Sequence, residues 1–156
     1  MAAKHTPNSH VVRPRTKLED VIPLETPFSL FIEPASACNF KCRFCLHGDE
    51  EAKNKYKFKP GIMDYELFKK LVDSLHMFPQ KIKTVHLCFR GEPLLNRHLP
   101  EMVCYLKSSG YVNEVTTTTN ASLLTESLSR QLTDSGLDVL KISIEALSSD
   151  KYFDIT

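Results

Sequence analysis

The sequence predicts an α/β fold with a parallel sheet of about four strands and helices packed outside it. Two observations carry that prediction. Short apolar runs rich in β-branched and aromatic residues alternate with longer amphipathic runs, and two of the amphipathic runs end on a glycine just before the next strand.

The strands are FSLFIE (Phe28 to Glu33), TVHLCF (Thr84 to Phe89), VTTTT (Val115 to Thr119) and VLKISIE (Val139 to Glu145). The first helix has Asp64 as N-cap, Met63 and Phe68 as a hydrophobic staple, and a stripe of Leu67, Phe68, Leu71, Val72 and Leu75. The second runs from about Leu99 to Ser109 and stops at Gly110; the third runs from a Thr125 cap to Gly136. A fourth begins near Ser148. Strand, helix, strand in this spacing gives right-handed βαβ units, and strands that are apolar almost throughout imply burial on both faces.

The chain has 156 residues, with 20 basic and 19 acidic side chains. A near-zero balance gives no reason to expect nucleic acid or an anionic membrane as partner. Pro7, Pro14, Pro23 and Pro27 fall without periodicity in and just after residues 1–26, which read as a flexible or wrapping arm ahead of a domain over 27–156. With no signal-peptide core and no apolar run of membrane-spanning length, the expected compartment is the cytoplasm, where thiols stay reduced. Five cysteines, three of them within CNFKCRFC (Cys38 to Cys45), therefore read as a metal or catalytic site.

The remaining polar and special residues also fall after strands. Arg90, Gly91, Glu92 and Pro93 follow the second, Asn120 and Ser122 the third, and Ser143 and Glu145 close the fourth. Parallel α/β folds open the carboxyl ends of their strands onto one face, so four segments point at one site. Taken alone, the thiols allow two kinds of centre. A structural zinc ion needs a closed tetrahedron, with His47 as fourth ligand after Cys38, Cys42 and Cys45, in a binding module without catalysis. An iron–sulfur cube held by three thiolates instead leaves one iron open to an outside ligand.

CNFKCRFC resembles the CxxxCxxC signature of the radical S-adenosylmethionine (radical SAM) superfamily, including an aromatic residue, Phe44, before the last cysteine. FRGEPLL (Phe89 to Leu95), TTTTNAS and KISIEA resemble that family's segments at the ends of the second, third and fourth strands, in the same order. The resemblance implies a partial (β/α) TIM-like barrel with four of the family's usual six strands, the front part of a longer domain. It implies that Cys38, Cys42 and Cys45 ligate a [4Fe-4S] cluster whose fourth iron takes the amino and carboxylate groups of S-adenosyl-L-methionine (SAM). Phe44 would pack near the cluster and adenine; Gly91 and Glu92, in the turn closed by Pro93, would lie against the methionyl ammonium; Asn120, Ser143 and Glu145 would serve the ribose and the methionyl carboxylate. The implied enzyme is an oxidoreductase-type catalyst with a flavodoxin or ferredoxin as reductant and a peptide or small-molecule substrate. Arg90 stands where many members have a second glycine, either facing an anion or marking a subgroup.

Each residue also has a plainer reading. Gly91 to Pro93 make an ordinary strand-exit turn, Asn120 and Ser143 are common end-caps, Glu145 is a solvated charge, and Phe44 is core. His47 reads as a loop histidine. Cys88 and Cys104 read as buried apolar thiols, and His76, His86 and His98 show no paired ligand spacing. HGDEEAKNKYKFKPG (His47 to Gly61) reads as a solvated loop beside the site.

Overall fold

The computed structural model describes residues 17–156. Four strands, β1 (Ser29–Phe31), β2 (Ile82–His86), β3 (Val112–Thr119) and β4 (Val139–Ile142), form one sheet in the order β1-β2-β3-β4, and each neighbouring pair is parallel. Between and after them run α1 (Glu50–Lys55), α2 (Tyr65–Asp73), α3 (Leu99–Ser108), α4 (Glu126–Asp134) and α5 (Ser149–Ile155). The parallel α/β sheet expected from the sequence is present.

Local chemistry sets the boundaries. Asp64 and Thr125 cap α2 and α4 by accepting from the amides of Leu67 at 3.0 Å and Leu128 at 3.2 Å. After α3 and α4, Gly110 and Gly136 take φ values of 75° and 85°, a left-handed turn that glycine adopts without a Cβ clash. Strand β2 starts two residues earlier than expected, because Lys83 alternates outward between Ile82 and the half-buried Thr84. Helix α1 falls where a solvated loop was expected. Asp49 accepts from the Ala52 amide at 2.9 Å, and Lys53 pairs with Glu50 at 2.6 Å, so local capping and charge, not an apolar stripe, stabilise it.

The core lies between the helices and one face of the sheet. Phe68 and Val72 of α2, Leu99, Met102, Val103 and Leu106 of α3, and Leu132 of α4 pack with Ile82, Val85, Leu87 and Val115. Burying side chains of this size contributes about 1.5–3 kcal/mol each before entropy is counted. The opposite face corrects the expectation of burial on both sides. The register sets Phe31, His86 and Thr116 in one row, with Phe31 stacked on His86 at 4.5 Å and His86 Nδ1 2.7 Å from Thr116 Oγ1. Phe31 is 59% exposed there, so polar and aromatic residues occupy a face that no described helix covers.

Of the expected arm, residues 1–16 lie outside the described residues. The described part makes a 3-10 turn at Leu18–Asp20 and touches the sheet's amino end, where Thr26 Oγ1 accepts from the Gln80 amide at 3.3 Å.

Candidate metal and cofactor site

After β1 the chain descends through Pro34 and Ala35 into the cysteine loop. Two successive turns, with the Cys45 amide on the Cys42 carbonyl and the Gly48 amide on the Cys45 carbonyl, both at 2.9 Å, orient the last two thiols. Cys38, Cys42 and Cys45 are all free and half-buried. Burial pushes the Cys38 and Cys42 thiols above their usual range. Glu92 and Cys45 add to this at Cys38, and the other two thiols of the trio add to it at Cys42.

The exit from β2 is built against the entrance to that loop. The Arg90 amide donates to Glu33 Oε1 at 2.7 Å and its Nη2 to Oε2 at 2.8 Å, while the guanidinium lies over the rings of Phe58 and Phe89. The Glu92 amide donates to the Ala37 carbonyl at 2.8 Å. Gly91 sits between them, and a Cβ there would run into the carbonyl oxygens of Ala35 and Ala37. Glycine is needed because two backbone segments meet with no room for a side chain.

Glu92 is 2% exposed, and its carboxylate is fully engaged. Thr119 Oγ1 donates to Oε1 at 2.6 Å, the Leu94 amide to Oε1 at 2.9 Å, and the Asn120 amide to Oε2 at 2.8 Å. The side chain thus stitches the turn after β2 to the end of β3. Asn120 is similarly occupied, since its Oδ1 accepts from the Ser122 amide and hydroxyl while its Nδ2 donates to Asn39. The Ser143 amide donates to the Thr119 carbonyl at 2.9 Å, which holds the end of β4 alongside.

These segments enclose a cleft of about 370 Å³ at the carboxyl ends of the strands. Cys38, Cys42, Cys45, Phe44, Gly91, Glu92, Asn120, Ser143 and Glu145 all line it, and Phe44 is 66% exposed rather than core. Pro93 does not line it; it is buried as the first residue of a 3-10 turn, Pro93–Leu95.

The cleft also takes in residues that sequence reasoning did not assign. Phe31 reaches it because alternate residues of β1 face away from the core, and Cys88, two residues past β2 and expected as a buried apolar thiol, is half-buried in its wall. Tyr152 of α5 and Thr156, which caps its end, also reach it, and α5 docks on the cysteine loop through the Arg43–Asp154 pair at 2.6 Å and the Arg43 amide on the Ile155 carbonyl at 2.9 Å.

His47 is not among the lining residues. It is buried edge-on against Phe58 at 5.5 Å, and burial pushes its imidazole below the usual range. Among the described residues, no three His, Cys, Asp or Glu side chains gather closely enough to hold a single metal ion. His47 thus does not converge with the three thiols on the cleft. Three free thiols spread around a cleft match a centre in which each thiolate goes to a different iron.

A family model described as the radical SAM superfamily matches residues 32–155. The chain belongs to the radical SAM superfamily. Membership implies a [4Fe-4S] cluster and SAM as cofactors, and the donor set just described fits them. Among relatives, the chain is 36% identical over 129 residues to a probable GTP 3',8-cyclase of Methanococcus maripaludis, covering 83% of this chain and 39% of that protein. It is 30% identical over 118 residues to a tungsten-containing aldehyde ferredoxin oxidoreductase cofactor-modifying protein of Pyrococcus furiosus, covering 76% of this chain and 31% of that one. The chain thus spans under two-fifths of these relatives' length. The crystal structure of BtrN in complex with AdoMet and 2-DOIA superposes with a TM-score of 0.64 at 24% identity, over 83% of this chain and 50% of that one. That likeness identifies the sheet as part of the radical SAM partial barrel.

Proposed function

We propose that this chain supplies the cluster- and SAM-binding part of a radical SAM enzyme, with residues 27–156 as a partial radical SAM domain behind an arm over 1–26. The observation that carries this reading is the convergence of the three thiols with the ends of β2, β3 and β4 on one cleft. Cys38, Cys42 and Cys45 would hold the cluster. Gly91 and its turn, Asn120, Ser143, Glu145 and Phe44 would hold SAM, and Glu92 would act mainly by keeping the ends of β2 and β3 in register. Pro93 would support the turn from beneath. When bound, the cluster would supply the electron that breaks the sulfonium S–C5′ bond of SAM, giving methionine and the 5′-deoxyadenosyl group that takes hydrogen from substrate.

The protein's own contribution is position and shielding. Phe31, Phe44 and Phe89, with Tyr152 of α5, give the cleft aromatic walls. A flavodoxin- or ferredoxin-type reductant and a peptide or small-molecule substrate complete the proposal. Anaerobic reconstitution followed by iron and sulfide analysis is the test. Uptake of a cluster by the wild type, and loss of it in Cys38→Ala, Cys42→Ala and Cys45→Ala, are expected; a colourless chain holding one zinc would reverse the reading.

A further inference from the structure

Asn39 lies immediately after Cys38, yet its side chain belongs to the other side of the cleft. Its Nδ2 donates to Ser122 Oγ at 2.7 Å, and its Oδ1 accepts from Asn120 Nδ2 at 3.0 Å. These bonds join positions 83 and 81 residues apart. The turn they reach is under strain, since Ala121 has a φ of 61°, a left-handed conformation that costs a residue with a Cβ. Three bonds hold it there: the Ser122 amide and hydroxyl on Asn120 Oδ1, at 2.9 and 2.7 Å, and the Ala121 amide on Thr119 Oγ1 at 3.0 Å. Thr119 in turn donates to Glu92. Glu92, Thr119, Asn120, Ser122 and Asn39 therefore form one continuous chain of hydrogen bonds, running from the turn after β2 across the end of β3 to the residue beside the first thiol.

We infer that Asn39 is a positioning residue that fixes the distance between the metal side of the cleft and the side formed by the β3 exit turn, an inference that rests on the proposed cluster and SAM sites. Without it the three cysteines remain available to iron, but the loop carrying them and the turn carrying Asn120 lose their direct tie and stay joined only indirectly, through Glu92. A molecule that must touch both sides then has to order them on binding. The effect falls on SAM affinity and not on cluster uptake.

The experiment reconstitutes the full-length wild type and Asn39→Ala anaerobically, measures iron and sulfide per chain, and titrates SAM against the electron paramagnetic resonance signal of the reduced cluster. Equal loading with about ten-fold more SAM needed for the half-maximal spectral change is expected, from the loss of two hydrogen bonds. A SAM response within about two-fold of wild type overturns the inference. Should Asn39→Ala load poorly, Ser122→Ala, which keeps the Asn39–Asn120 bond, decides: about three-fold weaker SAM binding is expected, and an unchanged response overturns it. A wild type that takes up no cluster defeats the functional reading instead. In that event hydrogen exchange of the cluster-free chain judges the tie itself: the Ser122 and cysteine-loop amides exchange faster in Asn39→Ala if it exists, and at wild-type rates if it does not.

Discussion

Glu92, expected from the resemblance to lie against the methionyl ammonium, lines the cleft and also carries a structural duty. A carboxylate at a strand end reads as a ligand for a cation, but here three donors already fill it inside the protein. Removing it leaves the Thr119 hydroxyl, the buried Leu94 amide and the part-buried Asn120 amide without that acceptor. Glu92→Ala is therefore expected to destabilise the chain by about 3 kcal/mol in thermal melts. A loss of SAM binding with unchanged stability would instead mean that the carboxylate contacts the ligand directly. The three thiols were legible because their spacing is the signal. Asn39 was not, since an exposed amide reads as solvated until the fold sets Asn120 and Ser122 beside it.

Among the elements, the sequence located α2, α3 and α4 well because caps and glycines mark their ends. It missed α1, which has no buried face and depends on Asp49 and the Glu50–Lys53 pair. It also took both sheet faces as covered, because apolar strand runs do not say which face stays open. The junction of β1 with the turn after β2 carries a pH-dependent contact. Burial alone would raise the Glu33 carboxyl, but the Arg90 hydrogen bonds and charge prevail and hold it below its usual 4.5. A depressed carboxyl contributes stability above its unfolded value and loses that contribution as pH falls through the folded one. Glu33→Gln is expected to lower stability by about 1 kcal/mol near neutrality, a modest figure because Arg90 is partly in solvent. In melts across the acid range the gap to wild type should close as pH falls; a gap that widened in acid would contradict the pairing.

Across the described residues, one sheet face covered by helices and one left uncovered turn four parallel strands into a platform. The helices bury the outer face as a core, and the strand ends bring the cysteine loop, two turns and the end of β4 together at one cleft. Composition and periodicity foretold the four parallel strands and the shared site at their carboxyl ends, but not the open face. The docking of α5 on the cysteine loop through Arg43 and Asp154 was hidden, because an ion pair 111 residues apart leaves no local pattern. The most direct measurement is the electron paramagnetic resonance spectrum of the anaerobically reconstituted, reduced chain before and after SAM is added. A [4Fe-4S] signal that changes shape with SAM is the predicted result, because three protein thiolates leave one iron for the cofactor. A cluster signal indifferent to SAM, or no cluster at all, would contradict it.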